Sequence, residues 1–562
     1  MLPYYVIAPI LIAVFLYVFS SAKAARIIAI AAQAVLTGFA AYLFYLCKDS
    51  EIITYVGDYE SVLGITLRAD TLASVFIALT ALAFLLAALY SFNDGNSKLF
   101  WFLLFIWQGL LIGIFLTRDL FNVFVLIEVA TVVVAVLIMY HRDNRSMYDG
   151  TFYLMVSIVA MQFYLFGVGY IYKLTGVLDL EAAAVMLATL EPGALVLPYA
   201  LIITAIALKC AVVPLFSWLP KAHGTPSAPS AISAILSGVY IKSGVYLFIR
   251  TQVLFEGLDT SLLFLIIGFI TGIAGFILAM SQKDIKLLLA YSTVSQVGLI
   301  VASLSIDSVY AQTGGLYHVI NHALFKLSLF MVAGVIVKYY GSRNIDEVDD
   351  LLNRMPIVGI AGILAVLGIT GAPMFNGSIS KYFIMDGTNW LITALFMVMN
   401  LGTIIVFLKF SSMLFRRNLT KPSGRAAGDA IRSAGSHPCN GTPDSSESEC
   451  KKRIPVSINK QIAVLVPSAL CFLGGLFGEE FIYFLFRIDV NVDAAGYAQK
   501  TLIYIASVSV GFLFYKYGLM KNNFLRDNFL NRIREINIGF RATCVVIGGF
   551  FAVILIFAGF VM

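Results

Sequence analysis

The sequence predicts an all-α polytopic membrane protein with about 14–16 transmembrane helices. Of the 562 residues, 60% are hydrophobic and only 12% are charged, and the mean hydropathy is +0.90. A soluble protein of this length needs a much larger polar surface, so the composition excludes an ordinary globular protein. The apolar residues also fall into separate segments of about 20 residues, the length that a helix needs to cross a bilayer.

About sixteen such segments follow one another along the chain. They cover approximately residues 2–21, 27–46, 69–90, 99–117, 120–140, 149–172, 195–220, 229–250, 261–280, 285–305, 311–337, 355–384, 390–415, 461–486, 499–519 and 539–561. The first segment is followed directly by Lys23 and Arg26 without a small-residue cleavage site. We therefore expect a retained span rather than a signal peptide.

The distribution of basic residues predicts the orientation of these spans. If the first loop is cytoplasmic, the cytoplasmic loops carry most of the 38 Lys and Arg residues. The positive-inside rule then places both termini outside the cell. We expect the protein to lie in the plasma membrane, in contact with lipid. Topology thus explains the net charge of +6, and no nucleic-acid partner is expected.

Residues 1–98 are predicted to hold the N-terminal spans and an external hairpin. The two opening spans contain no charged residue at membrane depth, which is typical of peripheral packing. The loop between residues 48 and 70 contains the alternating stretch ITYVGDYESVLGITL. Alternation with a period of two indicates a short β-hairpin.

Spans four to eight (99–260) and nine to thirteen (261–417) form two blocks of five helices. Because five is odd, consecutive blocks have opposite orientations, as in transporters built from inverted repeats. We expect the first block to be the proton-input half and the second the proton-output half. Helix breaks at Pro214, Pro220 and Pro373 predict discontinuous seventh and twelfth helices, which is typical of a transport pathway.

Glu128 lies in an apolar stretch of the fifth span, and Lys209 lies in the seventh span before Pro214. A buried ion pair stabilises a protein little, because desolvation consumes most of the Coulombic gain. Such a pair makes sense where it must open and close during transport. The alternative is a purely structural ion pair.

The lysines within predicted spans include Lys242, Lys381 and Lys409. Lys242 is about ten residues from either end of its span, roughly 15 Å, which is beyond easy reach of the headgroups. Lys381 and Lys409 lie nearer to the ends of their spans, where a lysine can extend its amine to the interface. A desolvated lysine changes its proton affinity readily, so we assign Lys242 and Lys381 to a proton relay and keep Lys409 as a secondary candidate.

The eleventh span contains GGLYHVINHALFKLSLF, with His318, His322 and Lys326 at positions i, i+4 and i+8. These side chains lie on one helix face over about 12 Å. Histidine titrates near neutral pH, so the two imidazoles are candidates for passing protons stepwise, with Lys326 as a secondary candidate. A structural polar contact is the main alternative. A metal site is disfavoured, because the segment has no acidic residue and no evident third ligand.

Residues 418–457 are polar and rich in Ser, Gly and Pro, which predicts a disordered cytoplasmic linker. Residues 458–562 hold the C-terminal spans. Between them, residues 521–538 repeat apolar residues at helical spacing among basic residues, as in an amphipathic helix at a membrane surface.

The six cysteines are scattered along the chain and show no metal-binding or redox spacing. No cofactor, metal or catalytic residue is therefore expected in this chain. Any electron transfer belongs to another subunit.

The run LKCAVVPLFSWLPKAHGTPSAPSAISAILSGVYIKSGVYLFIR, with IEVATV before it and YHVINHALFKLSLF after it, resembles a known family over about residues 65–415. This family comprises the antiporter-like membrane subunits of respiratory complex I, Mrp-type cation/proton antiporters and energy-converting membrane hydrogenases. The resemblance implies a core of fourteen spans with inverted repeats. It also implies proton-translocating roles for a set of buried residues: Glu128, Lys209, Lys242, His318, His322 and Lys381.

We therefore expect a proton-translocating subunit of a multisubunit complex, either a redox-driven pump or a cation/proton antiporter. Its partners would be other integral membrane subunits, and its cargo would be protons. One alternative is an Mrp-type Na⁺/H⁺ antiporter module, which is driven by ion gradients and also carries sodium. Two others are a self-contained solute permease and a passive scaffold for a soluble catalytic arm. Only the scaffold predicts that replacing the buried lysines has little effect.

Overall fold

The computed structural model describes residues 1–59, 64–224, 228–416, 453–519, 521 and 524–560. Within these ranges the chain is almost entirely helical, with one small hairpin. Most of the predicted linker (418–457) lies outside the described residues, as do parts of the predicted amphipathic segment.

The N-terminal part contains four long helices and the hairpin. Its elements are α1 (Pro3–Phe19), α2 (Ala22–Leu46), β1 (Ile52–Tyr55), β2 (Thr66–Ala69), α3 (Thr71–Ser91) and α4 (Lys98–Leu116). Strands β1 and β2 are antiparallel, with Ile52 paired to Ala69 and Tyr55 to Thr66. Asp70 starts α3 by accepting a hydrogen bond from the Ala73 N–H, which satisfies one of the free donors at the helix N-terminus.

The first central block extends from α5 to α11. Its helices are α5 (Leu120–Ile138), α6 (Asn144–Thr175), α7 (Leu180–Leu187), α8 (Pro192–Lys209), α9 (Trp218–Gly224), α10 (Ser230–Ile235) and α11 (Ile241–Leu254). A short π-helix, Leu236–Tyr240, joins α10 to α11. Asp119 and Asp143 cap the N-termini of α5 and α6.

The second central block extends from α12 to α18. Its helices are α12 (Ser261–Ser281), α13 (Ile285–Leu304), α14 (Val309–Tyr340), α15 (Leu351–Arg354), α16 (Pro356–Thr370), α17 (Asn376–Asp386) and α18 (Trp390–Phe415). Helix α14 is the centre of the bundle, because its most apolar window is 100% buried inside the protein. It packs against α10, α13, α16 and α17.

The C-terminal part adds helices to both central blocks. They are α19 (Ile458–Leu476), α20 (Gly478–Phe486), α21 (Ala494–Leu513), α22 (Leu530–Arg534) and α23 (Phe540–Phe560). Helix α21 packs on α18, whereas α23 packs on α8 and α6. The described part of the predicted amphipathic segment consists of a π-helix, Phe524–Phe529, followed by α22.

Among the described residues, 14 helices are long and apolar enough to cross a membrane. Two shorter apolar helices, α1 and α16, correspond to the remaining predicted spans. The prediction of a helical membrane protein with about 14–16 spans is confirmed. The internal inverted repeat stays a prediction.

Two helices are interrupted at membrane depth. Helix α8 ends at Lys209, and the chain resumes with the turn Leu215–Ser217 and α9. The structure differs from the prediction at Pro220, which is the third residue of α9 and not a break. Proline fits there because the first N–H groups of a helix have no intrahelical partner. The second interruption separates α16 from α17, where Gly371 adopts a φ of 80° and precedes Pro373.

Ion pairs between distant segments define two ends of the molecule. At the hairpin end, Asp70 pairs with Arg118 and Arg250. At the opposite end, which we call the linker end, Asp94 pairs with Lys338 and Lys460 at 2.7 Å each. All of these residues lie beside loops that the alternation of predicted spans assigns to these same two ends.

Candidate functional site

Lys209 is the last residue of α8 and lies next to the helix break. Its side chain is only 5% exposed, and Nζ donates a hydrogen bond to Thr131 Oγ1 on α5 at 2.9 Å. The break also frees backbone carbonyls that need partners. The carbonyl of Leu208 accepts a hydrogen bond of 2.7 Å from the indole Nε1 of Trp218. The amine of Lys209 is thus held by a neutral hydroxyl, without a direct contact to a carboxylate of the described residues.

Glu128 lies on α5 one helical turn before Thr131. Its Oε1 is buried and has no hydrogen-bond partner in the part of the chain that the structure describes. Lys209 is close enough to act on it electrostatically, but the two side chains do not form an ion pair. Glu128 is half-buried at the edge of an exposed face of α5 that includes Val125 and Val129. It therefore lies at the side of the bundle, between Lys209 and the exterior.

Lys242 follows the π-helix at the start of α11 and is fully buried. Its Nζ donates a hydrogen bond to the backbone carbonyl of Ser237, inside the π-helix. A π-helix shifts the hydrogen-bond register by one residue, and such turns are frequent at functional sites. The hydroxyl of Ser237 in turn bonds Thr293 Oγ1 at 2.6 Å. The irregular turn thus gives a buried amine a polar partner that carries no charge.

Two tyrosines that the sequence analysis did not single out connect Lys209 to Lys242. The Tyr153 ring centroid lies 5.8 Å from Lys209 Nζ, and the Tyr153 hydroxyl lies 2.7 Å from that of Tyr240. Tyr240 is the last residue of the π-helix and stands two residues before Lys242. A row of hydroxyls therefore leads from one buried lysine towards the next. No sequence signal distinguishes these two tyrosines from the many aromatic residues of the apolar spans.

His318 joins α14 to three neighbouring helices. Its Nε2 lies 3.0 Å from Gln296 Oε1, and its Nδ1 lies 2.9 Å from Ser380 Oγ. Gln296 uses its amide nitrogen to bond Thr403 Oγ1 at 3.1 Å, so its oxygen is the group that faces the ring. Because an amide oxygen only accepts, Nε2 carries a proton in this arrangement and Nδ1 is free to accept one from the Ser380 hydroxyl.

His322 lies one turn further along α14, and neither ring nitrogen has a hydrogen-bond partner among the described residues. The side chain is fully buried, with its ring against Phe325 at 5.6 Å between centroids. Lys242, Lys326 and His318 are all close enough to act on it electrostatically. An unpartnered buried imidazole among basic groups has two vacant positions for proton donors or acceptors.

Lys381 lies in α17, just beyond the second helix break, and is 6% exposed. Its Nζ donates to the carbonyl of Ile369 and to Oδ1 of Asn400, both at 2.7 Å. The carbonyl of Ile369 belongs to the last turn of α16, where intrahelical partners are missing. Lys381 acts electrostatically on His318, so the buried basic groups continue from Lys242 through both histidines to this residue.

The two secondary candidates have different surroundings. Lys326 is fully buried and donates to the Leu289 carbonyl at 2.9 Å and to the Ser292 hydroxyl. It lies beside the relay and acts on both Lys242 and His322. Lys409 instead caps the end of α12, with hydrogen bonds of 2.8 Å and 2.6 Å to the carbonyls of Met280 and Gln282. The structure does not bring Lys409 together with the other candidates.

The sequence analysis also missed a buried arginine at the hairpin end. Arg118 is 1% exposed and donates to Asp70, to Glu181 and to the hydroxyl of Tyr246. The predicted spans 99–117 and 120–140 leave this residue in the short loop between them. The sequence signal for it is the pair Arg118–Asp119 directly before an apolar span. In the structure the aspartate caps α5 and the arginine is buried.

Comparisons of the sequence with known proteins place this site in a known class of membrane proteins. Residues 117–408 match the family model described as NADH:quinone oxidoreductase/Mrp antiporter, TM. NADH-quinone oxidoreductase subunit N of Desulforudis audaxviator is 31% identical over 388 residues, which are 66% of this chain and 77% of that protein. The D-type subunit of the Na(+)/H(+) antiporter of Alkalihalophilus pseudofirmus is 29% identical over 399 residues, 67% of this chain and 80% of that protein.

Solved structures share the fold at lower identity. A chain of the Mrp complex from Dietzia sp. superposes with a TM-score of 0.77 at 23% identity, over 90% of this chain and 98% of that chain. A chain of respiratory complex I from Thermus thermophilus superposes with a TM-score of 0.72 at 19% identity, over 90% of this chain and 100% of that chain. The family match covers the broken helices together with Glu128, Lys209, Lys242, His318, His322, Lys326 and Lys381. The chain belongs to the NADH:quinone oxidoreductase/Mrp antiporter family of membrane subunits.

Proposed function

We propose that this chain is a proton-translocating membrane subunit of a multisubunit complex. The observation that carries the proposal is the continuous set of buried basic groups Lys242, His322, His318 and Lys381. Each acts electrostatically on the next, and none of the four is paired with a carboxylate of the described residues. Uncompensated amines at this depth are costly to a protein, so a function must retain them.

Loading would take place at Lys209. In the described arrangement Glu128 is separated from Lys209, whose amine is held by Thr131. Closure of the Glu128–Lys209 pair favours a protonated amine, and opening of the pair favours release of the proton. The released proton would pass the hydroxyls of Tyr153 and Tyr240 towards Lys242.

The second half would deliver the proton to the hairpin end. His318 offers one protonated and one accepting nitrogen, so a proton can arrive on one side of the ring and leave from the other. Ser380 of α17 contacts this ring, and Lys381 is the next residue along the chain. The domain division predicted above, with an input half at 99–260 and an output half at 261–417, follows this route.

The driving force would come from partner subunits. Glu128 lies at the side of the bundle, where a neighbouring subunit could change its charge environment and so open or close its pair with Lys209. The relatives named above are subunits of an oxidoreductase and of an antiporter, as their names state. A redox-driven pump is therefore one form of the proposal, and an Mrp-type antiporter that exchanges sodium for protons is the other.

The membrane orientation is part of the same proposal. The hairpin end would face the outside of the plasma membrane and the linker end the cytoplasm, with both termini outside. The basic residues at the starts of α2 and α6 and those before α19 support this orientation. Protons would then move from the linker end to the hairpin end.

The test is to purify the native complex in mild detergent, identify its subunits and reconstitute it in vesicles. Iron–sulfur subunits together with proton uptake driven by a redox substrate would support the pump. Small membrane subunits with sodium-dependent proton exchange would support the antiporter. A chain that is purified alone and moves a solute without proton coupling would contradict both.

A further inference from the structure

The C-terminal helix α21 lies beyond the region that the family model matches, yet it covers the output side of the second half. A partly open cavity of about 40 Å³ lies between α17, α18 and α21. Its lining includes Lys381 and Asn400 from the central block and Tyr497, Lys500 and Tyr504 from α21. A space of this size has room for about three water molecules.

A second space lies next to the first, at the N-terminal end of α21. This groove of about 340 Å³ is lined by Met374, Glu479, Glu480 and Val492, among others. Met374 is 52% exposed and Glu480 is exposed, so the groove opens to the surface at the hairpin end. Tyr497 is shared by the linings of the cavity and the groove. It is therefore the side chain that lies between the cavity of Lys381 and the groove.

The hydroxyl of Tyr497 is held by the segment around the second helix break. It accepts a hydrogen bond from the Met374 N–H at 3.1 Å and lies 2.8 Å from Ser378 Oγ. Ser378 itself donates to the Phe375 carbonyl at 2.7 Å, so the tyrosine hydroxyl is the donor in their contact. A hydroxyl oxygen has two lone pairs, and only one is used by Met374. The second is available to a proton donor in the cavity.

We propose that Tyr497 is the terminal proton relay of this subunit and that α21 completes its exit path. The proposal rests on the proposed proton-translocating function. In this step the ammonium of Lys381 gives up a proton through the cavity to the free lone pair of the Tyr497 hydroxyl. The hydroxyl then turns from Ser378 and gives its original proton to solvent water in the groove, so Lys381 becomes a neutral amine and the phenol is unchanged. No oxidant or further reactant is required.

The test compares three variants of the reconstituted complex by the rate of proton movement across the vesicle membrane. Tyr497→Phe removes the relay hydroxyl and is expected to slow translocation by about tenfold or more. Tyr504→Phe is the matched control, because this tyrosine lines the same cavity from the same helix but bonds Thr370 instead of facing the groove. It is expected to retain the native rate within about twofold. Tyr497→His, which restores a proton-carrying group, is expected to recover much of the lost rate.

Two results would overturn the inference: a native rate in Tyr497→Phe, or equal losses in Tyr497→Phe and Tyr504→Phe, which would indicate altered packing of α21. Lys381→Ala is measured in parallel and distinguishes this failure from failure of the proposed function. If Lys381→Ala is inactive while Tyr497→Phe is native, only the exit path is wrong. If Lys381→Ala still translocates protons, the proposed function itself is wrong.

Discussion

Lys209 and Thr131 are joined by a hydrogen bond of 2.9 Å that connects the broken helix α8 to α5. The Thr131 hydroxyl accepts a hydrogen bond from the Lys209 amine. Glu128 lies one turn away on α5, and its buried Oε1 has no hydrogen-bond partner among the described residues. The structure therefore shows the lysine and the glutamate apart. Pairing of the two requires only local side-chain movement, since Thr131 and Glu128 lie on neighbouring turns of the same helix.

Glu128→Gln is expected to slow proton translocation by about tenfold or more, because it removes the charge that favours protonation of Lys209. The measurement is the initial rate of proton movement in vesicles that contain the assembled complex. Glu256→Gln is the matched control, since this glutamate is exposed in the loop after α11. Equal rates for Glu128→Gln and Glu256→Gln would show that the carboxylate of Glu128 is not used.

The two histidines are expected to respond differently to substitution by alanine. Both variants should lose translocation, but His318→Ala should also lower the free energy of unfolding by about 1–3 kcal/mol, because it removes a hydrogen-bond partner of Gln296 and Ser380. His322→Ala breaks no hydrogen bond within the described part of the chain. Thermal unfolding in detergent, measured beside transport, checks the difference. Identical stability losses would contradict the hydrogen-bond assignment.

Lys409→Ala is expected to affect stability rather than transport. Its amine satisfies two carbonyls at the end of α12, and their loss should cost about 1–3 kcal/mol. The rate per assembled complex should stay within about twofold of the native rate. A complex that unfolds normally but translocates no protons would instead place Lys409 on the proton path.

The ion pairs of Asp70 at the hairpin end are expected to make the stability of the protein depend on pH. Burial acts to raise the pKa of this carboxyl, but Arg250 and Arg118 outweigh it and hold the pKa below the ordinary value of 3.8. The ion pairs therefore contribute stability that is fully present above about pH 4 and is lost as the pH falls through the lowered pKa. Thermal unfolding between about pH 2 and 5 should show this loss in the native protein and a weaker dependence in Asp70→Asn. An equal dependence in both would exclude Asp70 as its source.

Much of the fold follows from the sequence alone. Apolar segments of bilayer length predict the spans, and Pro214 and Pro373 predict the two interruptions, because proline removes a backbone donor within a helix. The stripe of His318, His322 and Lys326 follows from helical periodicity and lies on the buried helix α14.

The partners of these residues could not be predicted in the same way. Thr131, Gln296 and Asn400 are polar residues within apolar spans, and nothing in their local sequence indicates which helix they face. Glu128 and Thr131 lie within one turn of α5, and the Lys209 amine bonds Thr131 instead of forming the expected ion pair with Glu128. Helical periodicity does not determine which of the two side chains it contacts. The contacts of Tyr497 are still harder to predict from the sequence, because they depend on the packing of α21 against a helix break that is distant along the chain.

The most direct test of the central claim is proton translocation by the assembled complex carrying Lys209→Ala, beside Lys409→Ala as a second buried-lysine variant. Both proteins should insert and assemble. The account predicts that Lys209→Ala translocates no protons, because the loading amine is gone, while Lys409→Ala remains active. Translocation at the native rate in an assembled Lys209→Ala complex would contradict the claim that protons pass along the buried lysines.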